Sequence, residues 1–174
     1  MVSLEVIALV FTGLSLSASI LYYSYTIQSQ NKTRRLQIVK DLWEWISDEE
    51  GYQKFVQLMT MTWSDYEDFH KKYGTLTNTE SYATQFSVWN KMNGLGYMVK
   101  EGVIDVETVY DHSAGRIVWM WMKFESVILE IRKENTIGYL FKWWEYLIGE
   151  LLKEAEKRGE HLILPESFTS TPRT

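Results

Sequence analysis

The sequence predicts an all-α protein, with an N-terminal transmembrane helix continuing into a cytoplasmic antiparallel helical bundle, and three observations lead there. Two prolines and ten glycines among 174 residues are too few for a turn-rich β architecture. Apolar residues recur at a three-to-four spacing through most of the chain, and no strand-length alternation stands between turn signals. Finally, Val6 to Ile27 is a run of 22 residues without a charge. As a helix such a run rises about 33 Å, slightly more than the roughly 30 Å hydrocarbon core of a bilayer.

The expected span, residues 1–30, is marked by Val6, Phe11, Leu16, Ile20 and Ile27. Thr12, Ser15, Ser17, Ser19 and Ser24 interrupt it, but hydroxyls return their hydrogen bonds to the helix's own carbonyls and are tolerated in lipid. Tyr22, Tyr23 and Tyr25 cluster at the C-terminal end, where amphipathic rings prefer the headgroup boundary. Lys32, Arg34, Arg35 and Lys40 follow within 13 residues of Ile27, whereas the other flank offers the α-amino group and Glu5. By the positive-inside rule the N-terminus lies outside and the long C-terminal part is cytoplasmic, which in a prokaryote means the inner membrane. A cleaved signal peptide wants its positive charge before the apolar run, and here the charge comes after, although Ser17-Ala18-Ser19 passes for a cleavage site. A buried core helix meets the same composition test but seldom stays uncharged over 18 residues. Thr12, Ser15 and Ser19 give small-residue spacings at which another span can approach closely; a lipid-facing serine-rich span is the simpler alternative.

Beyond the span, Leu36, Val39, Trp43 and Ile46 keep helical spacing, so residues 31–46 read as a juxtamembrane continuation. The bundle domain, 47–160, opens with the capping-box pattern Ser47-x-x-Glu50, followed by the stripe Tyr52, Phe55, Val56 and Met59. Ser64-x-x-Glu67 repeats the pattern before a short polar helix that Gly74 is expected to end in the left-handed conformation. Thr77-x-x-Glu80 opens a helix to about Lys100, bearing Tyr82, Phe86, Trp89 and Met92 on one side. Gly102 ends it and Asp105 caps the next helix, which runs to about Glu134. Its stripes, Ile117, Trp121, Phe124, Ile128 and Ile131 beside Val118, Met122 and Leu129, predict a central, largely buried element. The last helix is expected from Ile137 to about Arg158, closed by Gly159, with residues 161–174 left as a flexible tail. Connections of two to eight residues imply antiparallel sequential neighbours.

Composition narrows the function. Eighteen basic against 23 acidic side chains, a net charge of −5, leave no basic stripe for nucleic acid. The absence of cysteine removes disulfides, thiolate metal sites and a cysteine nucleophile. Glu67-x-x-His70 has metal-ligand spacing on a helix, but a dinuclear site needs a second such motif, and Lys71 and Lys72 beside it speak for a solvated face. Glu107, Asp111 and His112 form either a proton-relay cluster or an ordinary polar face. Gly94-Leu95-Gly96 lacks the preceding strand and third glycine of a dinucleotide loop and reads as a close helix approach. No serine sits in a nucleophile elbow, and no cofactor, metal or catalytic residue is assigned. Of the eight tryptophans, Trp89, Trp121 and Trp144 fall on the core stripes. Trp43, Trp45, Trp119 and Trp143 flank them and can contribute to a partner surface.

The order of elements resembles a prokaryotic domain-of-unknown-function family of small, single-span, membrane-anchored helical proteins. The residues that carry it are the basic stretch Gln28 to Arg35, Phe86 to Met98 leading into Lys100-Glu101-Gly102-Val103-Ile104-Asp105, Trp119-Met120-Trp121 and Tyr139 to Trp144. The resemblance implies the anchor and the bundle and brings no catalytic residues. Residues and resemblance together predict a non-enzymatic, membrane-anchored interaction module. Its partners are membrane lipid and either another membrane protein or further copies of itself. An accessory subunit of a membrane enzyme complex and a metal-binding or enzymatic bundle are the alternatives. A lipid sensor acting through the basic segment is a third, though those charges are already accounted for by topology.

Overall fold

The computed structural model describes residues 3–169 and, within that range, the side chains of all but Val10, Leu42, Trp43, Trp45, Ile46 and Ser47. Among the described residues there are six α-helices, one short 3-10 turn and no strand. They are α1 (Leu4–Ser47), α2 (Glu49–Met59), α3 (Tyr66–Tyr73), α4 (Thr79–Lys100), α5 (Val106–Glu134), α6 (Lys142–Arg158) and the 3-10 turn Glu166–Phe168. The chain divides into two compact units between Leu42 and Trp43.

The first unit is helix throughout its described part, uncharged from Val6 to Ile27 and polar and basic beyond it. The second is the helical domain. Sequence reading found its helices but placed three of their starts one residue early. Asp48, Asp65 and Asn78 are the N-caps, their side chains accepting from the backbone N–H groups of Gly51, Asp68 and Ser81, where Ser47, Ser64 and Thr77 were expected. In each pair an aspartate or asparagine, as good a cap as serine and better than threonine, follows the hydroxyl residue directly and takes the role. Asp105 caps α5 as expected, through Thr108 N–H.

Gly74 ends α3 with extended backbone, φ −73°, and not in the left-handed region. Glycine is needed there for space, because a Cβ would stand 2.3 Å from the His70 carbonyl oxygen. Gly102 and Gly159 do take positive φ, 66° and 70°, as helix terminators.

The largest correction is at the start of the last helix. Ile137 to Phe141 is a turn, bounded by two left-handed non-glycine residues, Thr136 (φ 54°) and Phe141 (φ 56°), and α6 begins at Lys142. The Phe141 ring is buried, at 5.6 Å from both Phe86 and Trp89, and burying it holds the unusual backbone. With no local cap available, α6 is capped from another helix: Asn93 Oδ1 on α4 accepts from the N–H groups of both Trp143 (3.0 Å) and Trp144 (3.2 Å).

Packing departs from a strict neighbour-by-neighbour order. The most extensive contact joins α4 to α6. Phe86, Asn93 and Lys100 meet Phe141, Trp143 and Tyr146 in turn, so these two helices run in the same direction. α5 is antiparallel to α6, pairing Asp111 with Arg158, Trp121 with Trp144 and Arg132 with Glu145. The core is largely aromatic, and Trp63, Phe124, Trp89 and Phe141 form a continuous chain with centroid separations of 5.2 to 5.6 Å. Trp89, Trp121 and Trp144 are buried as expected, and α5 is central through Ile117, Phe124 and Ile128. Its second stripe is not wholly inside, since Met122 and Leu129 are exposed.

Residues 161–169 of the expected flexible tail lie within the described range. As far as Thr169 it has a defined course, with Phe168 half-buried between Phe55 and Trp119 and its carbonyl bonded to Lys123. Residues 170–174 lie outside the described residues.

Candidate functional site

In the first unit, Val6, Phe11, Leu16, Ile20 and Ile27 are all exposed, Ile20 at 58%, and the apolar window of α1 has no buried share. Burial of such side chains is worth about 1.5–3 kcal/mol each, and by length and composition this helix is apolar enough to cross a membrane. Tyr22, Tyr23 and Tyr25 follow with rings exposed, one turn before the segment that carries Lys32, Arg34, Arg35 and Lys40. The hydroxyls behave as helix chemistry requires. Thr12 Oγ1 donates to Ala8 O, Ser17 Oγ to Gly13 O and Ser19 Oγ to Ser15 O at 2.8 to 2.9 Å, and Thr26 and Thr33 repeat the pattern. Thr12, Ser15 and Ser19 are exposed, as a packing face for a second span requires.

In the helical domain the metal-like residues separate. Glu67 and His70 are exposed on α3, with Phe69 between them buried in the core. Glu107 and Asp111 face α6 instead of one another's ligands, pairing with Lys157 (4.0 Å) and Arg158 (2.5 Å), while His112 Nδ1 meets the Thr108 carbonyl at 2.8 Å. Among the described residues no group of three or more histidine, aspartate or glutamate side chains is placed to hold a metal ion. Arg158 also binds Glu154, and with Lys157 it holds that buried carboxyl below the usual carboxylate range. This is an ion-paired seam between α5 and α6.

The tryptophans expected at the margins divide. Trp43 and Trp45 side chains lie outside the described residues; Trp119 and Trp143 are half-buried. Trp143 stacks near Tyr97 at 5.6 Å beside the α4–α6 crossing, where a Cβ on Gly96 would meet its carbonyl oxygen at 1.9 Å. Gly96 is therefore the close approach that the Gly94-Leu95-Gly96 spacing implies; Gly94 borders open space.

Sequence reading missed the most unusual group in the domain. Lys123, on α5, is 4% exposed. Its ammonium donates to the Phe168 carbonyl at 2.9 Å and sits 5.0 Å over the Trp63 ring. Among the described residues no carboxylate is shown paired with it, and burial pushes its pKa down to about 8. One signal was available: Lys123 follows Trp119 and Met120 at helical spacing and so falls on an apolar side of α5.

One long exposed apolar helix joined in sequence to an all-helical domain with an aromatic core defines a class of protein: a helical domain carried behind a segment able to cross a bilayer. The chain belongs to the family described as domain of unknown function DUF4760, whose profile matches residues 6–150 and so takes in both the apolar helix and most of the helical domain. Neither the curated proteins nor the solved structures yield a match.

Proposed function

We propose that this chain is a non-enzymatic, membrane-anchored interaction module, with its N-terminus outside and its helical domain on the cytoplasmic side of the inner membrane. The observation that carries the reading is the row of exposed apolar side chains from Val6 to Ile27, ended by a tyrosine cluster and a basic segment. Lipid is one partner; the other is a membrane protein or a second copy of the chain. Retention of the segment, and not its removal as a signal sequence, is supported by the basic residues lying after the apolar run.

Alkaline carbonate extraction and an intact-mass measurement test anchoring together. The chain is expected in the pellet at full mass; release to the supernatant, or a mass lacking the residues before Ile20, overturns the reading. The cysteine-free sequence allows the orientation to be tested with single cysteines. Ser3→Cys is expected to react with an impermeant maleimide on intact cells, and Thr75→Cys, on an exposed loop, only after permeabilisation. An accessory-subunit role is the second form of this proposal, supported by the exposed Thr12, Ser15 and Ser19. Crosslinks from those positions to a larger integral protein separate it from a self-associating anchor. Stoichiometric metal in the purified chain would favour the enzymatic alternative instead.

A further inference from the structure

Arg116, Trp119 and Lys123 are spaced three and four residues apart and share one side of α5 across two turns. The chain's own C-terminal segment crosses that side. The Phe168 ring stands edge-on to Phe55 at 6.0 Å and tilted against Trp119 at 6.3 Å, while the Phe168 carbonyl takes a hydrogen bond from Lys123. Phe55 and Arg116 also line a narrow cleft that continues to Met92, Ser113 and Met120.

The resident segment leaves this surface incompletely satisfied. An ammonium has three donors, and a single main-chain carbonyl is the acceptor found for Lys123. The Trp119 indole N–H is buried without an acceptor among the described residues. A buried cation without a counter-charge is costly, and an apolar side chain of the same length would fill the space without that cost. Ile163, between α6 and the turn, is 74% exposed. A lysine kept at the floor of an aromatic groove, beneath a segment of the chain's own, offers donors that an acidic peptide can use.

We propose that the α5 face bearing Arg116, Trp119 and Lys123 is a groove for a partner protein's acidic segment that presents a phenylalanine from a 3-10 turn, the place that Glu166–Phe168 occupies in cis as a built-in competitor. The resident Glu166-Ser167-Phe168 has the chemistry of such a ligand: a ring for the Phe55 and Trp119 walls, a main-chain carbonyl for the ammonium and a neighbouring carboxylate. The proposal names the partner chemistry for the interaction-module reading and rests on that reading for its biological role. Peptide binding is measured apart from membrane attachment, so the two fail separately.

The test uses the full chain in mild detergent and two fluorescent peptides, residues 162–169 and the same peptide with Ser167→Asp. The Phe168→Ala protein, its own segment disabled, is expected to bind the first peptide at least ten-fold more tightly than the unaltered protein does, and the more acidic peptide more tightly still. Adding Lys123→Met to that protein is expected to weaken binding at least ten-fold while the near-ultraviolet circular dichroism is kept. If Phe168→Ala loses that dichroism, Pro165→Gly frees the same segment with its ring intact and gives the same comparison. A folded, released protein that binds neither peptide overturns the proposal, as does binding indifferent to Lys123→Met. Equal binding by released and unaltered proteins overturns it too, since the cis segment would then compete for nothing.

Discussion

Two seams of the helical domain are built on opposite terms. Between α4 and α6 the special backbone positions each have a partner or a reason, although the buried indole N–H groups of Trp89 and Trp144 have no acceptor among the described residues: Asn93 caps two indole-bearing residues, Gly96 admits a backbone, and Phe141 fills the space left by a turn. Between α5 and the C-terminal segment, a lysine is buried with no carboxylate paired to it among the described residues. The first seam is arranged for stability. The second keeps a buried cation that stability alone would not select.

Substitutions can break or sharpen that contrast. The largest effect belongs to Gly96→Val, which drives side-chain atoms into the Trp143 carbonyl; a loss of about 3 kcal/mol or more is expected, measured by denaturant unfolding in detergent. Next is Asn93→Ala, which leaves two N–H groups at the start of α6 without an acceptor and is expected to lower stability by about 1–2 kcal/mol. Asn93→Asp keeps the acceptor and adds a favourable charge at a helix N-terminus, so it is expected to retain the parent's stability.

Lys123→Met should act in the other direction, raising stability by on the order of 1 kcal/mol at neutral pH. The lysine's pH dependence gives an independent check. With its pKa lowered to about 8 from an ordinary value of 10.5, the folded state releases the proton first. The unfolded chain therefore binds more protons between those values, and stability contributed by this site rises with pH across that window. Thermal midpoints at pH 7.5 and 10 are expected to show that rise less in Lys123→Met than in the parent. A variant destabilised at neutral pH would instead make Lys123 part of a stability-optimised seam and erase the distinction. The smallest effect is Gly94→Ala, two residues from the most sensitive glycine but facing open space, expected to stabilise α4 by about 0.5–1 kcal/mol.

Much of this architecture was legible in residue spacing. The apolar helix, the α5 core stripe, the Asp105 cap and the Gly102 and Gly159 stops follow from local chemistry that the folded chain keeps. What escaped depends on tertiary partners. Lys142 starts α6 because Asn93, some fifty residues earlier, supplies a cap that no residue near Ile137 can. Gly74 has a glycine-like role that rests on the His70 carbonyl and not on a dihedral preference. The candidate groove was hidden for the same reason: Lys123 reads as one more charge on a helix until Phe168, 45 residues away, is seen to lie over it. The cap positions at Asp48, Asp65 and Asn78 are a different kind of miss, a one-residue shift between adjacent capping residues that local pattern does not separate.

The hydroxyl ladder of α1 carries one more implication. Thr12, Ser17 and Ser19 each already donate to the carbonyl one turn back, so inside hydrocarbon they expose no unsatisfied hydrogen. Should a neighbouring helix arrive, a hydroxyl that rotates toward it trades one acceptor for another and the tally of bonds is unchanged. Pairing along any side of the helix is then decided by how well two contours nest, and a rod of this kind is equally at home alone or in company.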